Sequence, residues 1–257
     1  MNFNQIVFPV IITILQNERN LLIIIFSKLS QLHWHETIGI YKHLRYHCKT
    51  CRMSSAARTL LPSLSTADFE RQAVARLSAC QTITEGNARE SKDIEAALRR
   101  SKATDVIVSV GNGDSVKKSD IREANAKALA AVMKKPEFSD VRVMLVSSNG
   151  AGESVIKVGM GIGSLISYHL RHVLSDHTQQ ENALQPFRQR LTVVRPTSLT
   201  DNAPTGRMEI FGDKVKPPTI KTDRADVANW VVREICENGH ATMGRTVNIT
   251  GIPNTKK

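Results

Sequence analysis

Ser147 and Ser148 stand directly after an apolar run, Val141–Val146, and Asn149-Gly150 comes after them. A hydroxyl at the end of a strand can polarise or protonate an oxygen or nitrogen of a bound substrate. Three other segments also come after strand candidates: Gly86–Arg89, Val110–Gly113 and Pro196–Leu199. The second reads Val-Gly-Asn-Gly, and glycine-containing turns bring backbone N–H groups within reach of a phosphate. His177 is a candidate proton donor; the plainer reading is a histidine on a helix surface. Gly159, Gly161 and Gly163 resemble a phosphate loop, but they come after the serine strand, and a lone glycine cluster is weak evidence. They read better as a flexible substrate loop. His33, His35, His43, His47, Cys48 and Cys51 gather near the start of the chain. Their order and short spacing match no common zinc finger, so no metal site is expected.

The elements that must position these residues alternate. Strands are expected at Thr82–Thr84, Asp105–Val110, Val141–Val146, Leu191–Val194 (stopped by Arg195-Pro196) and Thr246–Ile249. Helices are expected at Thr66–Leu77, Ser91–Arg99 (capped by Ser91), Ser119–Met133, Ser164–Leu184 and Arg224–Glu237. Asp223, Arg224 and Asp226 should cap the last helix and brace it on the sheet. Several strands are continuous apolar runs, as strands covered on both faces are. The predicted fold is therefore α/β: a doubly wound, mostly parallel Rossmann-type sheet with helices on both faces. Ligands of such sheets sit beyond the C-terminal strand ends, which is where the four segments above fall.

The character of the chain changes near residue 55. An atypical segment, 1–55, precedes a domain spanning 56–257. The net charge of the 257 residues is +11. It is spread out: residues 1–57 hold six Lys/Arg against two Asp/Glu, and the remainder holds 29 against 22. No basic run is interleaved with aromatics, so nucleic acid is not an expected partner. Four cysteines in a chain of this length make no disulfide framework, which suits a reducing, cytoplasmic setting. The apolar runs Ile6–Leu15 and Leu21–Phe26 are shorter than the roughly 18–20 residues that span a bilayer, so no membrane partner is expected. No basic residue precedes the first run, and a leader peptide is not expected either.

Four stretches carry a resemblance: EGNAR (Glu85–Arg89), VRVMLVSSNGAG (Val141–Gly152), LTVVRPTSLTDN (Leu191–Asn202) and TDRADVANWVV (Thr222–Val232). Together they resemble the NAD(P)H-binding, NmrA-like atypical short-chain dehydrogenases. Asp176-His177 and Pro204-Thr205-Gly206 bring the chain nearest to the biliverdin reductase B/flavin reductase type. The likeness runs over roughly residues 57–251 in order and spacing. It implies NADP as cofactor, with NAD as the other option, and hydride transfer to a small conjugated or flavin-like acceptor by a monomer or small homo-oligomer. Gly86, Asn87 and Ala88 would meet the adenine. Val110, Gly111 and Asn112 would pass the ribose and pyrophosphate. Ser147 and Ser148 would lie beside the nicotinamide, with Ser148 and His177 as the catalytic candidates. Pro196, Thr197, Ser198 and Leu199 would cover it, and Arg58 would pair with a 2′-phosphate.

Two features depart from that pattern. No G-x-x-G-x-x-G occurs in residues 1–57, where Gly39 is the sole glycine. Leu21–Phe26 could stand in for the first strand, Ser27–Gln31 for the phosphate loop and Glu36–Tyr46 for the next helix. A loop without glycine, however, puts Cβ atoms where a phosphate should approach. The Tyr-x-x-x-Lys pair is also missing, since His172 stands at the fourth position after Tyr168. Both departures favour a rival reading, a non-catalytic Rossmann sensor or interaction protein with weakened dinucleotide binding.

Overall fold

The structure is a computed structural model that describes residues 9–16, 19–26, 81–112 and 115–252. Among the described residues, eight strands form the main sheet, in the order β3-β1-β2-β4-β5-β6-β10-β8. They are β1 (Pro9–Gln16), β2 (Arg19–Phe26), β3 (Gln81–Glu85), β4 (Asp105–Val110), β5 (Arg142–Val146), β6 (Leu191–Pro196), β8 (Met208–Phe211) and β10 (Thr246–Gly251). A small parallel pair, β7 (Ser198–Thr200) and β9 (Lys221–Asp223), stands beside it. The described helices are α1 (Ser91–Ser101), α2 (Ile121–Met133), α3 (Ile162–His169), α4 (Arg171–Leu184) and α5 (Arg224–Cys236).

β2, β4, β5, β6 and β10 run parallel to one another in sequence across the sheet. Side chains of a strand point alternately to the two faces. In β4, Val106, Val108 and Val110 accordingly join one core with α1 and α2, and Ile107 joins another with α5. Both faces are thus covered, the condition that makes β4, β5 and β6 continuous apolar runs. The expected doubly wound α/β sheet is present.

The first half of the sheet departs from the usual order, in which the opening strands are parallel. Here β1 and β2 pair antiparallel from Pro9↔Phe26 to Gln16↔Arg19, and β1 also pairs antiparallel with β3. β2 lies beside β4 in parallel, with Phe26 opposite Val110. The described part of the first apolar run, and the second run, are therefore sheet strands. Among the described residues no helix is long and apolar enough to cross a membrane.

Three expectations need correction. The helix over 164–184 is broken at Leu170, whose dihedrals (φ −90°, ψ 7°) leave the helical region. The burial changes there: Leu165 and Tyr168 of α3 are exposed, whereas Leu174 and Leu184 of α4 are buried. β6 continues through Arg195-Pro196 instead of stopping before it. α1 begins after Glu90, and Ser91 is inside the helix. The strands β7, β8 and β9 were not expected, being only three or four residues long and without an apolar run. The helix expected over 66–77 lies outside the described residues.

Candidate active site

The four predicted segments come together at one edge of the sheet. β3, β4, β5 and β6 all point the same way, and Gly86, Gly111, Ser147 and Thr197 are the first residues past their ends. Backbone bonds join two of these ends, those of β5 and β6, to each other and to β10. Ser147 N–H donates to Val194 O at 2.7 Å, Asn149 N–H to Pro196 O at 2.9 Å, and Thr197 N–H to Ile249 O at 3.1 Å. Ser147–Asn149 and Pro196-Thr197 thus form one continuous floor.

A buried polar lattice lies under that floor. Ser147 Oγ donates to Glu181 Oε1 at 2.5 Å. Arg195 clasps the same carboxylate, Nε to Oε1 at 3.0 Å and Nη2 to Oε2 at 2.6 Å. Its Nη1 reaches Asp213 Oδ1 at 3.2 Å, and Asn248 Nδ2 donates to that oxygen at 2.8 Å. Asn149 Nδ2 donates to Asn248 Oδ1 and to Ser154 Oγ, both at 3.3 Å. Register explains the grouping, since Arg195 of β6 sits opposite Asn248 of β10. Burying the Arg195 and Glu181 charges is tolerable only because each is paired and hydrogen-bonded. Gly152 closes over the pair at φ +57°, where a Cβ would collide with Arg195 Nη2.

The lattice separates the two serines. Ser147 is buried, and its hydroxyl is committed to Glu181. Ser148 is half-buried, and its hydroxyl donates only to the neighbouring Asn149 carbonyl at 3.2 Å among the described residues. A bond of that kind is readily exchanged for a ligand.

Around the adenine side expected from the sequence, Gly86 and Asn87 are half-buried and Ala88 is in the core. Asn87 makes a turn into α1: its Oδ1 accepts Arg89 N–H at 3.0 Å, and its own N–H donates to Asp93 Oδ2 at 2.7 Å. Asn125 Nδ2 holds the Ala88 carbonyl at 2.9 Å. After β4, Val110 is buried and Gly111 and Asn112 are half-buried. Arg122 Nη1 donates to Asn112 Oδ1 at 3.3 Å and to Asp176 Oδ2 at 3.2 Å. Past β6, Thr197 is buried, its hydroxyl shared with Thr222 at 2.6 Å and Thr250 at 3.2 Å. Ser198 is exposed, and Leu199 packs on the α5 core. Arg58, Ser27–Gln31, Glu36–Tyr46 and the His/Cys cluster lie outside the described residues.

His177 is not on the surface. It is 7% exposed on α4, and its Nδ1 has no hydrogen-bond partner among the described residues. Burial holds its pKa well below the usual 6.5; the Arg122 charge pushes the same way, and Gln180 opposes both. The imidazole is therefore neutral near pH 7. The acidic residues of the last helix also differ from expectation. Asp223 precedes α5, but its side chain accepts Thr200 Oγ1 at 2.5 Å and Asn202 N–H at 3.1 Å. Asp226 accepts Thr205 N–H and Gly206 N–H, each at 2.8 Å. Instead of capping the helix, they tie the segment after β7 down onto it. Gly163 lies at a close approach, since a Cβ there would collide with the Ile156 carbonyl oxygen.

Sequence reasoning missed Glu181, Arg195, Asp213, Asn248 and Arg122. One signal was available: an arginine inside the apolar run LTVVRP needs a buried carboxylate partner somewhere.

This mostly parallel sheet with helices on both faces defines a Rossmann-type α/β protein. A family model described as NAD(P)H-binding matches residues 62–238, and the chain belongs to that family. No curated protein sequence matches it. Among solved structures, it is similar to a wide-type short-chain dehydrogenase/reductase from Veillonella parvula in complex with NADP. That match has 17% identity over 68% of this chain and 73% of the other, with a TM-score of 0.49. It is similar to the oxidoreductase ylbE from Lactococcus lactis (19% identity, 66% and 71% covered, TM-score 0.47). It is also similar to ChuY, an anaerobillin reductase from Escherichia coli (17% identity, 67% and 75% covered, TM-score 0.46).

Proposed function

We propose that the chain is an NADPH-dependent reductase that acts on a small conjugated or flavin-like acceptor. The observation that carries this reading is the division of labour between the serines. Ser147 is locked into the lattice below, while Ser148 keeps a hydroxyl free for a ligand at the strand-end floor. The residues present fit a dinucleotide, because half-buried Gly111 and Asn112 leave polar groups at the edge of the sheet. When bound, the cofactor supplies the hydride from its nicotinamide ring. The acceptor gains that hydride and one proton.

Ser148 Oγ–H donates to the acceptor atom on which charge builds up, and the proton is replaced from water. His177 is buried, so it is less accessible to an acceptor than half-buried Ser148, despite its place in the resemblance. Gly86, Asn87 and the Ala88 backbone hold the adenine. Val110–Asn112 line the ribose and pyrophosphate path. Main-chain groups of Pro196–Leu199 meet the nicotinamide carboxamide, and Arg58 favours NADP over NAD. These roles belong to the domain spanning 56–257.

The test is NADPH titration and then a screen of quinones, flavins and tetrapyrroles as acceptors. NADPH should raise the melting temperature, and at least one acceptor should oxidise it. Ser148→Ala should lower turnover about a hundredfold with little change in NADPH affinity. Binding without oxidation across the panel would instead support the sensor reading, which the missing glycine motif favours. A folded chain that ignores millimolar NADPH would sink both.

A further inference from the structure

We infer that Arg122 is a positioning residue of the dinucleotide site: it turns the Asn112 amide so that one N–H points out of the turn after β4, toward the cofactor. The inference rests on the reading of the site given above.

Arg122 is in the first turn of α2, and its side chain is 8% exposed. It pairs with Asp176 of α4, whose side chain is 1% exposed. This pairing neutralises the guanidinium, so it offers little net charge to a phosphate. Asp176 also accepts Arg122 N–H at 3.3 Å and Glu123 N–H at 3.1 Å. Asp176 thus takes two of the backbone donors that begin α2, and Ile121 N–H goes to Ser119 Oγ at 3.2 Å, so these donors are not left for a phosphate near this turn.

The turn supplies a donor through Asn112. A guanidinium has donors only, so the amide atom facing Arg122 Nη1 at 3.3 Å has to be Oδ1. The amide nitrogen is then on the side of the amide away from Arg122. Nδ2 reaches the Lys117 carbonyl at 3.5 Å, the outer limit of a hydrogen bond. Its second N–H has no acceptor among the described residues. Gly111 lets the guanidinium lie this close, since a Cβ there would be 3.1 Å from Arg122 Nη2. Without Arg122 the amide would lose the contact that sets its orientation.

The test compares NADPH affinity, by cofactor fluorescence, for the wild-type chain, Asn112→Ala, Arg122→Lys, the double variant and Asn112→Asp, each with a thermal melt. Asn112→Ala should weaken binding about tenfold, as loss of one hydrogen bond to a charged or polar ligand group does. Arg122→Lys should weaken it to a similar degree, because a lysine lacks the fork that reaches both Asn112 and Asp176. The double variant should bind no worse than the weaker single variant. Asn112→Asp keeps the acceptor for Arg122 and should melt like the wild type, yet it should lose affinity at least as much as Asn112→Ala. If the losses multiply in the double variant, or if Asn112→Asp binds like the wild type, the inference is overturned while the cofactor reading stands. If the wild-type chain itself fails to bind NADPH, the cofactor reading fails, and the inference falls with it.

Discussion

Two buried carboxylates hold arginines at opposite ends of the sheet. Asp105, at the start of β4, accepts Arg142 Nε at 2.9 Å and Nη2 at 3.0 Å. Thr104 Oγ1 adds a bond at 2.9 Å, and His240 Nε2 lies 3.2 Å away. Glu181 takes Arg195 in the same two-pronged way at the other end. The surroundings of the two pairs differ. Asp105 and Arg142 are neighbours in register, and their bonds stay at the base of the sheet. Glu181 comes from a helix and continues through Ser147, Arg195, Asp213, Asn248 and Asn149 beneath the ligand edge. The chemistry of the two pairs is alike. Position sets them apart: one lies beneath the C-terminal strand ends, where the ligand site is proposed.

Removing one partner of a buried pair tests this contrast most strongly. Glu181→Ala leaves the Arg195 charge buried and should cost about 3–5 kcal/mol of stability in urea denaturation. It should also weaken NADPH binding. Asp105→Asn should cost less, about 2 kcal/mol, because the Arg142 side chain is 35% exposed and water can take over part of its solvation. NADPH affinity should be unchanged. Equal costs for the two, or a loss of NADPH affinity in Asp105→Asn, would break the comparison.

The serines sharpen it at smaller scale. Ser147→Ala removes one hydrogen bond to a carboxylate that keeps both of its arginine contacts, and it should cost about 1–2 kcal/mol in the same denaturation. Ser148→Ala should leave the melt where it is and act on turnover. A stability loss in Ser148→Ala as large as that in Ser147→Ala would show that both hydroxyls belong to the lattice.

The sequence made the C-terminal edge of the sheet legible but not the polar lattice beneath it. β4, β5 and α2 have apolar positions at clear spacing, so their ends, and the segments after them, could be placed. The rule that ligands gather beyond parallel strand ends did the rest. Which of Ser147 and Ser148 is free was not legible, because the deciding partner, Glu181, is distant in the chain. Arg195-Pro196 read as the stop of β6 for the same reason: the carboxylate that makes a buried arginine acceptable is on α4. The order of the first strands was hidden as well. Leu21–Phe26 was expected as the first strand, and it does lie beside β4 in parallel, but nothing in the pattern marked Pro9–Gln16 as its antiparallel neighbour.

His177 gives the smallest effect and tests the interior next to the Arg122–Asp176 pair. Helical spacing placed it on α4 without saying which face is covered. In the folded chain, burial and the Arg122 charge hold the ring neutral well below the usual pKa of 6.5. Above about pH 6.5 the ring is uncharged in both states and contributes no pH dependence. As the pH falls below that value, the unfolded chain takes up a proton that the folded chain refuses. Stability should therefore decrease with falling pH, by up to about 1.4 kcal/mol per unit, until the lowered folded pKa is reached. His177→Gln removes this group, so the variant should lose less stability than the wild type between neutral and mildly acidic pH in urea denaturation. The other histidines are common to both proteins and cancel in the difference. Identical pH slopes would mean that His177 takes a proton without unfolding. The ring would then be open to water, and α4 would turn this face outward instead of packing it beside Arg122.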